Sequence, residues 1–150
     1  MARLEELDLE MRRAVVDHVA RIKHDLGKYV AFQIRWLAED ASDADRRDAL
    51  AADLLATRRG PEGTVDAPRV WAMARSGLVG QQPLIGERRA DISDEPLLAE
   101  IDAQMAIIEQ VIVALRNDTA STQDITRGTQ AAFAVADACR SLQRRVREAQ

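Results

Sequence analysis

The sequence predicts an all-α protein: an antiparallel four-helix bundle with one additional short helix. Three observations carry that expectation. Apolar residues recur at three- and four-residue steps over long stretches, the period of a helix with one buried face. Each stretch after the first opens on a capping residue, and breaks at Gly and Pro or a polar turn separate the later ones. Aromatics make up only 3% of the 150 residues, so Leu, Ile, Val, Ala and Met must build the core, a palette that favours helices over a sheet. No stretch reads as a strand.

The first helix is expected over residues 3–39, where Leu4, Leu7, Met11, Val15, Val19, Ile22, Leu26, Val30 and Leu37 keep the helical step. Gly27 is its one poor helix former and the place where a break would fall. Residues 29–37 are apolar on more than one face and need a second partner. Ser42 with Asp45 opens a second helix through Leu50, Leu54 and Leu55 to about Arg58, and Gly60-Pro61-Glu62-Gly63 breaks the chain. Asp66 caps a short helix over residues 68–78 carrying Val70, Trp71 and Met73. Residues 80–92, with Gly80, Pro83 and Gly86, read as an ordered loop over the bundle.

Asp94 or Ser93 caps the next helix, residues 95–116, with an unbroken stripe of Leu98, Ile101, Met105, Ile108, Ile112 and Leu115, widened by Leu97, Ile107 and Val111. A stripe that wide packs against more than one neighbour. After a polar turn, Ser121 or Thr122 starts the last helix. It runs to about Arg147, with Ile125, Phe133, Ala136, Cys139, Leu142 and Val146 inward. The bundle closes either within one chain or by pairing two helical hairpins in a homodimer.

Length and composition bound the function. Residues 1–150 make one domain with enough apolar content for a real core. Net charge is −4, with 21 Lys+Arg against 25 Asp+Glu, and the pairs Arg58–Arg59, Arg88–Arg89 and Arg144–Arg145 are isolated among acids, so no nucleic-acid partner is expected. Cys139 is the single cysteine, which excludes an internal disulfide and a cysteine-based zinc site. The N-terminus is charged and no apolar run approaches a membrane span, so the expected setting is cytoplasmic, with no membrane partner.

The candidate chemistry lies in Arg21-Ile22-Lys23-His24-Asp25-Leu26-Gly27-Lys28-Tyr29. At 100° per residue, His24 lies about 160° from both Ile22 and Leu26, so it points away from the apolar stripe. Small residues flank it on one side (Ala20, Gly27, Ala31) and bases on the other (Arg21, Lys28, Arg35). An exposed imidazole, substantially neutral near pH 7, is a nucleophile for phosphate. Lys28, one turn on, can neutralise phosphoryl oxygens, and Asp25 can orient the ring or accept its proton. Small neighbours let another protein's active site approach.

This segment resembles two related families. Histidine phosphotransfer domains carry His-x-x-Lys-Gly on a helix; here Gly27 and Lys28 supply the glycine and lysine in swapped order. The dimerisation and phosphotransfer helices of histidine kinases carry a histidine followed at once by an acid; Asp25 matches it, while Tyr29 stands where those helices usually have proline. The resemblance covers about ten residues and implies a phosphoryl carrier that exchanges phosphate with a response-regulator receiver in a two-component phosphorelay. His24 would be the nucleophile, with Lys28 and Asp25 assisting. Arg21, Gly27, Ala31 and Phe32 would meet the partner. It implies no cofactor or metal in this chain, because any Mg²⁺ would belong to the receiver's acids. No glycine-rich nucleotide-binding segment accompanies it.

The competing expectation is a non-catalytic helical adaptor whose wide stripes bind partner helices, with His24 an ordinary surface residue. His18 borders the stripe of Val15 and Ile22 and is expected to pack there. It lies six residues from His24, on a different face, which spoils a two-histidine metal site. Glu5, Glu6, Glu10 and Glu39 form no Glu-x-x-His pattern for a di-iron bundle. Trp71, Trp36, Tyr29 and Phe32 read as core, and no base is placed to activate Ser121, Thr122 or Thr126.

Overall fold

A computed structural model of the chain describes residues 4–39, 67–117 and 119–149; the side chains of Asp25, residues 27–39 and Arg116 are outside that description. The described residues are all-α: a 3-10 turn, Leu4–Glu6, then α1 (Leu9–Glu39), α2 (Ala67–Ser76), α3 (Pro96–Arg116) and α4 (Thr122–Glu148). Among them there is no strand, only two isolated bridges, Val79 with Asp91 and Ile85 with Arg88. The helix expected over residues 42–58 and the cap expected at Asp66 lie outside the described residues.

The first helix starts later than its apolar period suggests. Asp8 Oδ1 accepts the Met11 backbone N–H at 2.8 Å, which caps α1 and leaves Leu4 and Leu7 buried on the preceding turn. Apolar spacing alone continues through this corner, because both turns face the same core. The Met11 N–H and the Arg88 guanidinium hold the Asp8 carboxyl below its ordinary range. Past the cap, α1 runs 31 residues, roughly 46 Å, and Gly27 does not break it.

Helix α4 is the hub, packed against both α1 and α3, which scarcely touch each other. Its inner face is built from small residues: Gly128, Ala131, Ala132, Val135, Ala138 and Cys139 are buried, with Leu142 and Val146 towards its end. Short side chains let neighbouring helix axes approach. Val111 of α3 fills the space beside Gly128, where an added Cβ would stand 2.8 Å from Val111 Cγ1. Leu98, Ile101, Met105, Ile108, Ile112 and Leu115 are buried on α3, with Val111 beside them. Leu97 and Ile107 are half-buried at the edge of the stripe. Phe133 departs from its expected inward position. It is 47% exposed, because the small Ala132 and Val135 beside it already occupy the close-packed face.

The caps of α3 and α4 come from sequence-local chemistry. At α3 the cap is Glu95, not Asp94 or Ser93. Its side chain accepts the Leu97 N–H, and Pro96 follows at a position where a missing N–H costs nothing. Glu95 is buried and its other oxygen accepts from Arg145 of α4 at 3.1 Å. At α4, Ser121 accepts the Asp124 N–H and Asp124 accepts the Ser121 N–H, a reciprocal capping box.

Helix α2 sits across α1 and α3. Buried Trp71 donates its indole N–H to Asp102 at 2.6 Å, and the Arg75 Nε reaches the same carboxylate at 3.0 Å. The following loop folds over the packed helices, turning at Gly80 and Gly86, both with positive φ. It buries Leu78, Ala90 and Ile92 against the core and is tied down by the Ile92 N–H bonded to Leu78 O at 2.8 Å.

Candidate functional site

The two histidines of α1 have different surroundings because the helix divides into sectors. Met11, Val15, Val19, Ile22 and Leu26 are buried towards the core. His24, on the opposite side, is exposed, as are Arg13, Asp17 and Arg21, with half-buried Ala20 among them. The sequence-predicted face is therefore open to solvent from Arg13 to His24. Backbone helix continues through Asp25, Gly27, Lys28, Ala31 and Phe32, which puts Gly27 and Lys28 one turn beyond His24. The side chains of these five expected site residues lie outside the described residues.

His18 is half-buried where α1 meets α2, and its Nε2 donates to the Ala74 carbonyl at 2.8 Å. A carbonyl oxygen can only accept, so this nitrogen carries the proton. Gly77 closes over the same edge of the ring, where an added Cβ would lie 3.2 Å from Nε2. The imidazole is thus engaged in packing, as its place beside the stripe implies.

Next to His24, but turned 100° around the helix, Lys23 faces α4. It lines a depression with Asp137, Arg140, Arg144 and Arg147. A second depression continues from Arg147 past Arg12, Arg13 and Asp17. Buried Cys139 lies behind this seam; burial pushes its thiol up to about 12, while Lys23 and Arg140 pull weakly the other way. Arg144 and Arg145, adjacent in sequence, part company: Arg145 turns to Glu95 and Arg144 to the seam. The signal available in the sequence was the spacing of Arg140, Arg144 and Arg147, which places them on one helical face.

Among the described residues no group of three or more His, Cys, Asp or Glu is placed to hold a metal ion. None of the described helices is long and apolar enough to cross a membrane. No family model, curated protein or solved structure matches the chain.

Proposed function

We propose that the chain is a histidine phosphotransfer protein, an antiparallel four-helix bundle that exchanges a phosphoryl group with a response-regulator receiver domain through His24. The observation that carries this reading is the exposure of His24 on α1, in contrast to His18, whose Nε2 is committed to Ala74. The unprotonated nitrogen of the His24 ring attacks the phosphorus of the receiver's aspartyl phosphate. A P–N bond forms, the P–O bond to the aspartyl carboxylate breaks, and the proton left on the ring is released to Asp25 or water. Lys28 offsets charge on the phosphoryl oxygens, and Gly27 and Ala31 leave room for the partner. Arg21 and Phe32 complete the docking face.

The test is transfer from a panel of phosphorylated receivers to the wild type and to His24→Gln. The expected product is an acid-labile, base-stable phosphohistidine on the wild type alone, with His18→Gln still labelled. If no receiver labels the wild type, or His24→Gln labels equally well, the reading is wrong. A second reading is a non-catalytic adaptor, for which Leu9, Met73, Val113 and Phe133, the exposed large apolar side chains among the described residues, are the candidate contacts.

A further inference from the structure

The seam between α1 and α4 concentrates charge of the sign that is in the minority in this chain. Lys23, Arg12 and Arg13 on one side and Arg140, Arg144 and Arg147 on the other line two depressions that meet at Arg147. Among the described residues only two carboxylates, Asp17 and Asp137, share them, although the whole chain has a net charge of −4. Clusters of one sign set against an opposite overall charge produce a local potential that selects oppositely charged ligands.

Most of these cations are not neutralised from within. Arg140 pairs with Asp137. Among the described residues, Lys23, Arg13 and Arg147 have no carboxylate partner, and Arg144 bonds only Ser141 Oγ, at 3.5 Å. The buried Nε of Arg12 has no hydrogen-bond partner there at all. The rest of the Arg12 guanidinium reaches only the Glu5 backbone carbonyl, at 3.5 Å, so no carboxylate among the described residues matches its charge.

We propose that this seam is a docking groove for an acidic segment of a partner protein. Along α4, Arg140, Arg144 and Arg147 are spaced by about 6 Å and then about 4.5 Å, the spacing of acids at i, i+4 and i+7 on a partner helix. Guanidinium groups, five of the six cations, suit bidentate carboxylate contacts. Among the described residues no aromatic side chain lines either depression to serve as the stacking platform of a single-strand nucleic-acid site. The proposal requires nothing of His24, so its failure and the failure of phosphotransfer are separate results.

The test is fluorescence anisotropy of the full chain with a labelled twelve-residue glutamate peptide, the matching lysine peptide, and a single-stranded oligonucleotide of equal charge. The glutamate peptide should bind at 50 mM salt and weaken at least tenfold by 250 mM. Arg144→Gln should weaken binding several-fold and the triple Arg140, Arg144 and Arg147 change to Gln at least tenfold. Arg127→Gln, an equal charge change at the other end of α4, should leave binding within twofold. Thermal melting checks that each variant is folded, and these exposed positions should tolerate exchange. Absence of glutamate-peptide binding at 50 mM, equal loss from Arg127→Gln and Arg144→Gln, or tighter binding of the oligonucleotide would each overturn the proposal.

Discussion

Gly128→Ala is a substitution whose sign depends on one contact. In a helix interior, Ala is favoured over Gly by about 1 kcal/mol, so the change should stabilise α4 if nothing stood beside it. Here the added Cβ would meet Val111 Cγ1 at 2.8 Å, Cβ at 3.1 Å and Cγ2 at 3.2 Å. A β-branched side chain in a helix has essentially one rotamer, so Val111 cannot swing clear. Overpacking of this kind costs about 1–3 kcal/mol, which cancels the propensity gain and leaves a net loss of up to about 2 kcal/mol. For a chain of 150 residues that lowers Tm by up to about 6 °C. In a Val111→Ala background the two Cγ contacts vanish and only the 3.1 Å approach of Cβ remains. There Gly128→Ala should turn stabilising, and urea titrations of the four-member cycle should show a coupling of about 1–3 kcal/mol. A Gly128→Ala protein more stable than wild type, with no coupling to Val111, would refute the close approach of α3 and α4.

Ile108→Ala, at a fully buried position, should cost about 2–5 kcal/mol in urea unfolding, whereas exposed Arg21→Ala should stay within about 0.5 kcal/mol; equal losses would invert the assigned faces. The Asp124 carboxyl is held below its ordinary 3.8 by the Ser121 N–H and hydroxyl, and Asp91 and Asp8 are lowered by their own hydrogen bonds. An acid with a depressed folded-state pKa contributes stability that is present above the unfolded value and is lost as pH falls through the folded one. Stability should therefore decline below about pH 4, and Asp124→Asn should make that decline shallower; an unchanged acid limb counts against the capping box. Cys139, with its thiol pushed to about 12, should resist an aromatic disulfide reagent at pH 8 and react promptly in urea; rapid native reaction would contradict its burial.

Periodicity and caps made the helices legible, because both are local. The buried stripe of α3 and the capping box at Ser121 and Asp124 are written in adjacent turns. What escaped is what depends on partners distant in sequence. Glu95 caps α3 through one carboxylate oxygen while Arg145, fifty residues away, holds the other, a pairing that local spacing does not reveal. Phe133 points outward although its spacing permits an inward position, since α4 meets α3 and α1 through small residues. Of the candidate site, the exposure of His24 and the engagement of His18 followed from angular position on one helix. The seam did not, because half of its cations come from the other end of the chain.

The sectors of α1 would let one helix combine core packing with the proposed nucleophile, His24, and the proposed docking edge. A helix packed on one neighbour needs little more than a third of its circumference for the core. On α1 that stripe faces α4, while α2 takes a second sector through His18 and Ala74. The 100° step then separates Lys23, turned to the seam, from His24, turned to solvent. The seam meets the His24 face at Arg13 and Asp17, three and two turns before His24 itself. The proposed docking and the proposed phosphoryl exchange thus rest on different residues of this helix. Salt should weaken the docking of an acidic partner, whereas removal of the imidazole should stop chemistry and spare docking.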